Sequence, residues 1–260
     1  MSHDGLPEFL ASGGTVVGVD HRRALRNNQD GLAFANGERW QIVVVTDGCS
    51  SGRASEVGAR LGAAYLAART LDVAPRALDA QAAASGVAAA ALAWLDGIAS
   101  SFGDARRQDA LADMLLFTFL VAAVGPERAF VFGVGDGVVS LNGVTLALDA
   151  GPDNAPPYLA YGLLGPAPTP IVHVDVPARD VRTLVVATDG AVELLARAGE
   201  ALDGGARQRG LDQFEEDAAY LKNASLLQKR LVVIGERHGR LHDDTTIGLL
   251  RRKDFVPCAS

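Results

Sequence analysis

Short runs of β-branched and aliphatic residues recur along the chain at 15–19, 41–46, 114–124, 129–134, 138–141, 144–148, 171–176, 183–188 and 246–250. Their length and composition predict strands. Asn142-Gly143, between two of them, is the dipeptide of a type I′ hairpin. From residue 114 onward the runs follow one another without helical spacers, whereas parallel neighbours need crossovers of about a dozen residues. The sheet is therefore predicted to be mainly antiparallel.

Helical periodicity occupies other stretches. Val57, Leu61, Ala64, Tyr65, Ala68 and Leu71 recur every three or four residues and predict a helix with that apolar face. Residues 76–99 are alanine-rich and predict a second helix, with Leu78, Val87, Leu92, Leu95 and Ile98 as its larger contacts. A third helical zone is expected over 211–236, behind a glycine-rich loop at 199–210 expected to be mobile. Helices, a run of strands, more helix and a last strand predict an α+β fold in layers, read as one domain over 1–260.

Composition narrows the function classes. A hydrophobic content of 48% over 260 residues allows a sizeable core. The net charge of -7, without a Lys/Arg cluster, argues against nucleic acid or an anionic membrane as partner. The cysteines, Cys49 and Cys258, suit a reducing compartment better than a disulfide framework. The first residues lack a signal-peptide pattern, and the stretch 114–124, read as the most apolar, is too short to span a bilayer. A cytoplasmic, monomeric protein is expected.

The chemistry is expected from aspartates. Asp47 follows QIVVVT, Asp189 follows TLVVAT, and Asp243 stands just before TTIGLL. Strands hold such carboxylates in place while leaving them accessible. The glycine after Asp47 and after Asp189 permits a tight turn. Oxygen ligands suit Mg2+ or Mn2+, and two such ions about 3.5 to 4 Å apart lower the pKa of a bridging water and clamp a phosphoryl group. A single Asp-Gly after a strand is more often an ordinary turn. Order and surroundings are more specific.

GVDHRRALRNNQDGL (18–32), VVVTDGCSSGRASEVGARL (43–61), FGVGD (132–136), TLVVATDGAVELL (183–195) and HDDTTIGLL (242–250) resemble, in this order, motifs of the metal-dependent type 2C protein phosphatases. The likeness is to the bacterial branch with Gln-Asp in the first motif, here Gln29-Asp30, and it spans about 15–250. It implies a four-layer α-β-β-α sandwich of two antiparallel sheets flanked by helices, with a variable flap region at about 191–240. It implies Asp30, Asp47, Asp189, Asp243 and the Gly48 carbonyl as ligands of two Mg2+ or Mn2+ ions, and Asp113 as a ligand for a third. Hydrolysis of phosphoserine and phosphothreonine by a bridging hydroxide follows, with a phosphorylated protein as substrate and a cognate serine/threonine kinase as partner.

Departures from the motif shape the remaining expectations. Leu25 stands where many members carry a phosphate-binding arginine, leaving Arg22, Arg23 and Arg26 as substitutes. Cys49 stands where some relatives place a proton-donating histidine, leaving a metal-bound water or His21 as the candidate acid. Asp244 is expected to orient the loop of Asp243. Gly137 replaces a serine. These departures keep a second reading open, a catalytically weak or inactive module of the same fold that binds phosphoprotein signalling partners.

Overall fold

The computed structural model describes residues 8–152, 155–201, 205, 207–237 and 241–254. Its strands are β1 (Phe9–Val16), β2 (Asp30–Asn36), β3 (Gln41–Gly48), β4 (Phe117–Val124), β5 (Arg128–Val134), β6 (Gly137–Leu141), β7 (Val144–Leu148), β8 (Ile171–Pro177), β9 (Thr183–Ala187) and β10 (Thr245–Arg252). Its α-helices are α1 (Val19–Arg23), α2 (Ser55–Val73), α3 (Ala80–Ser101), α4 (Arg107–Ala110), α5 (Ala191–Ala196), α6 (Asp212–Glu216), α7 (Ala219–Lys222) and α8 (Leu226–Val232). One sheet has the order β1-β10-β9-β6-β7 and the other β2-β3-β4-β5-β8. Every pairing is antiparallel.

Alternation along the strands builds the layers, because successive side chains point to opposite faces. Val43, Val45, Leu120 and Ala122 of one sheet meet Val139, Leu184, Val186 and Leu250 of the other in the central apolar layer. The outward residues Ile42, Val44, Phe119 and Val121 pack under α2 and α3. On the opposite side Val185, Ala187, Ile247 and Leu249 pack with Leu194 of α5, Phe214 of α6 and Leu231 of α8. The result is an α-β-β-α sandwich. A strand buried on both faces favours apolar residues at nearly every position, which is why β4 reads as an apolar run interrupted only by Thr118.

Several sequence expectations change in detail. In α2 the buried stripe is Gly58, Ala59, Gly62, Ala63, Leu66 and Ala67, while Val57 and Leu61 are 43% and 51% exposed. Small residues let the helix backbone approach the sheet: the Thr46 hydroxyl donates to the Ala59 carbonyl at 2.8 Å. Side-chain size was the wrong guide to the face. In α3, Asp79 caps the start by accepting from the Ala82 N–H at 2.7 Å, so Leu78 falls outside the helix. That helix is long and apolar enough by composition to cross a membrane. Its Ala84, Val87, Ala91 and Leu95 stripe is packed in the core instead.

The run at 114–124 begins as strand only at Phe117, because Leu111–Leu115 continues α4 as a π-turn. The zone at 211–236 is broken into α6, α7 and α8. The fully buried Arg251 on β10 explains the first break: it donates to the carbonyls of Phe214, Glu216 and Asp217 at 3.2, 3.0 and 2.7 Å. Part of the loop at 199–210 lies outside the described residues, as does Cys258. The Asn142-Gly143 hairpin forms with φ of 53° and 88°, joining β6 to β7.

Leu25 ends the turn after α1 at φ 55° and is 94% exposed. A leucine in the left-handed region is strained and here gains no burial. Leu25→Asn is expected to stabilise the fold by about 0.5 to 1 kcal/mol, read as a higher denaturation midpoint.

Candidate metal centre

The strand register sets up the site. Asp30 opens β2, Asp47 lies near the end of β3, and the two are directly opposed across the strands. Residues so placed hold their Cβ atoms about 4.5 to 5.5 Å apart, and like charges there repel. The other sheet brings Asp189, just past β9, and Asp243, just before β10. The Thr188 N–H donates to the Thr246 carbonyl at 3.0 Å and keeps these strand ends together. The Thr188 hydroxyl then ties the sheets, donating to Asp30 Oδ2 and accepting from the Thr246 N–H, each at 2.9 Å.

Asp136 joins them from the point where the chain leaves β5 for β6 in the other sheet. Gly135 and Gly137 flank it at φ 100° and 132°. The second value explains glycine where the motif implies serine, because an L side chain rarely adopts that backbone.

These carboxylates open onto a cavity of about 80 Å3, lined by Asp47, Asp136, Asp189 and Asp243 together with His21, Gln29, Gly48, Cys49, Thr118 and Tyr158. Asp30 is 2% exposed and does not line it. Burial pushes the Asp30 and Asp47 carboxyls well above the usual range, and neighbouring carboxylates add to it: Asp244 and Asp189 around Asp30, and Asp30, Asp189, Asp243 and Asp136 around Asp47. Asp189 is pushed up to about 6 by burial and then by Asp243 and Asp136. Asp136 and Asp243 are raised for the same reasons, burial first.

Asp30 Oδ1 and Asp189 Oδ1 are buried without a hydrogen-bond partner. Unpaired buried carboxylate oxygens are costly unless a cation reaches them. An all-oxygen set of this kind fits Mn2+ or Mg2+.

A model of the protein phosphatase 2C family matches residues 17–223. The chain belongs to that family. Membership makes it a metal-dependent phosphoprotein phosphatase by class. A search of curated protein sequences returns no match. Among solved structures the fold is similar to the S. agalactiae serine/threonine phosphatase, at 14% identity and TM-score 0.63 over 94% of this chain and 100% of that one. It is similar to serine/threonine phosphatase Stp1 from Staphylococcus aureus, at 14% identity and TM-score 0.57 over 96% and 98%. It is also similar to the catalytic domain of the serine threonine protein phosphatase PstP in complex with 2 manganese ions, at 14% identity and TM-score 0.52 over 95% and 99%.

Within this phosphatase 2C fold, Asp244 is a positioning residue. It is 2% exposed and accepts from the Gly18 N–H at 2.7 Å, the Gln29 N–H at 2.6 Å and His21 Nδ1 at 2.8 Å. His21, Asp243 and Asp244 present oxygen and nitrogen atoms within 4.8 Å of one another. Both Asp244 oxygens are already engaged, so its work is to hold the first-motif loop against the loop of Asp243. Gly18 and Gly190 make this closeness possible, since a Cβ on either would collide with the backbone of residues 242–244.

Other expected site residues lie elsewhere. Asp113 is 37% exposed beside Arg53 and does not line the cavity; Asp136 does. Arg22 donates to the Gly235 carbonyl at 2.9 Å, and Arg23 faces solvent with Asp20 at 3.6 Å. Arg26 braces the loop after Asp47 through the carbonyls of Ser50 and Gly52 at 2.6 and 3.3 Å. None of the three lines the cavity. Asp136 carried a sequence signal, an aspartate between glycines at a strand end. Tyr158 carried none, because it lies in an irregular segment far from every motif.

The raised carboxyls set a pH dependence. Between about pH 4 and 6 the folded metal-free protein holds Asp189 protonated while the unfolded chain ionises it. The folded state then binds more protons, so stability falls as pH rises through that window. Metal-free protein is expected to be more stable at pH 5 than at pH 7.5, by about 1 to 3 kcal/mol from this group. Saturating Mn2+ should reverse the trend, because it binds the ionised carboxylates. Thermal melts with chelator and with Mn2+ check both signs.

Proposed function

We propose that this chain hydrolyses phosphoserine and phosphothreonine in proteins, with Asp30, Asp47, Asp189 and Asp243 and the Gly48 carbonyl holding two Mn2+ or Mg2+ ions. The opposition of Asp30 and Asp47 in register, beside unpartnered oxygens on Asp30 and Asp189, carries the reading. Bound there, the ions would supply a water activated for attack at phosphorus and would neutralise charge on the phosphoryl oxygens. The chain's own residues fix the geometry: β2 and β3 hold one carboxylate pair, and Thr188 locks the second sheet against it. Asp136 adds a further carboxylate and is the candidate for a third ion in place of Asp113. His21 lines the cavity with Nδ1 committed to Asp244, which leaves Nε2 as the atom to exchange a proton with the departing seryl oxygen.

The reading implies a cytoplasmic enzyme opposed by a serine/threonine kinase. A non-catalytic module of the same fold is the rival, favoured by the absence of lysine and arginine among the described cavity-lining residues. Purified protein is expected to release phosphate from a phosphoserine peptide with Mn2+, more readily than from sugar or nucleotide phosphates. Chelation should abolish the activity and Mn2+ restore it. Tight Mn2+ binding without turnover would instead support the rival.

A further inference from the structure

We propose that Tyr158 contacts the substrate, its phenol donating a hydrogen bond to a phosphoryl oxygen in place of the missing arginine; the inference rests on the phosphatase reading. A phosphate dianion approaching this site meets Asp47, Asp136, Asp189 and Asp243, and the cavity lining offers no lysine or arginine among the described residues. Oxygens not facing a cation then need neutral donors. His21 Nδ1 is taken by Asp244 and its Nε2 is the atom assigned above to the departing seryl oxygen, while Gln29 Nε2 is taken by Ser55 Oγ at 2.6 Å. The Cys49 thiol pairs with Ser51 Oγ at 3.1 Å. Ser50 and Thr118 are short hydroxyls on the lining.

The Tyr158 phenol, by contrast, interacts with the Cys49 thiol, a weak acceptor that is readily exchanged for a charged oxygen. It is also held in advance. Leu159 and Ala160, the next residues, are buried in the core under α3, and Tyr161 packs edge-on against the Tyr158 ring at 5.3 Å between centroids. A donor so fixed loses little freedom on binding. Burial beside Cys49 and Asp47 pushes its ionisation far upward, so the phenol keeps its proton wherever the enzyme would work.

The test is Tyr158→Phe in the full chain with Mn2+, which keeps the ring and its packing. KM for a phosphoserine peptide is expected to rise about ten- to a hundredfold with kcat changed no more than about threefold, as for loss of one hydrogen bond to a charged group. The dissociation constant of inorganic phosphate from the Mn2+-loaded protein, read by calorimetry, should rise by the same factor, with Mn2+ affinity and melting temperature unchanged. Unchanged KM and phosphate affinity would overturn the proposal, as would a loss confined to Ser50→Ala. Phosphate binding needs no turnover, so an inactive wild type would sink the phosphatase reading while calorimetry still decides the role of Tyr158.

Discussion

Replacing Asp47 by asparagine is expected to lower Mn2+-dependent turnover by roughly a hundred- to a thousandfold or more while raising the melting temperature of the metal-free protein. Both effects have one cause. Asp47 faces Asp30 across the strands and feels Asp189, Asp243 and Asp136, so its charge is held against burial and repulsion. Without a cation, that charge is a liability. An amide of the same shape removes it, and about 1 kcal/mol gained corresponds to about 2 to 4 °C for a domain of this size. With a cation, the charge is what binds, and the amide cannot replace it. A mutant that lost activity and melted lower would point to general disruption, and one that kept activity would remove Asp47 from the metal set.

Asp244→Ala is expected to fail differently. Its carboxylate satisfies two buried backbone N–H groups, of Gly18 and Gln29, and orients His21. Removing it strands those donors in the interior at about 1 to 3 kcal/mol each, so a loss of roughly 3 to 5 kcal/mol is expected in denaturant unfolding. Mn2+ affinity and turnover should fall with it, because the loops of Asp30 and Asp243 are no longer clasped. Saturating Mn2+ should restore part of the stability by mass action. Asp244→Asn, which retains one acceptor oxygen, should fall between the two. Loss of stability without loss of metal affinity would mean that the clasp does not shape the site.

Most of the strands, and the aspartates at their ends, were legible because each follows from local pattern; the run at 15–19 was misplaced, since β1 is Phe9–Val16 and Val19 opens α1. Runs such as QIVVVT and TLVVAT can be buried on both faces only as strands, and the polar residue that ends each run must emerge at the sheet's end. β2 was not legible: DGLAFAN is short, polar at both ends and has only Leu32 and Phe34 as large apolar residues, and only its pairing with β3 makes it a strand. Asp30 was thus assigned to the site without the element that places it opposite Asp47. The buried stripe of α2 was misjudged because glycine and alanine carry little hydrophobic signal yet permit the closest approach. Arg22, Arg23 and Arg26 were near the site in sequence, but α1 and the turn after it spend them on carbonyls and solvent. Tyr158 reaches the cavity only through tertiary packing, which no local pattern encodes.

The place of β10 between β1 and β9 bears on how the molecule is made. Asp30 and Asp47 leave the ribosome early and can pair as β2 and β3, whereas Asp243 arrives with the strand that must slot between two others already synthesised. During translation the nascent chain therefore carries an acidic half-site that repels itself and lacks its counterpart. On the proposed metal reading, the four-aspartate set would be complete only once β10 has paired between β1 and β9, so Mn2+ binding would report that this strand is in place.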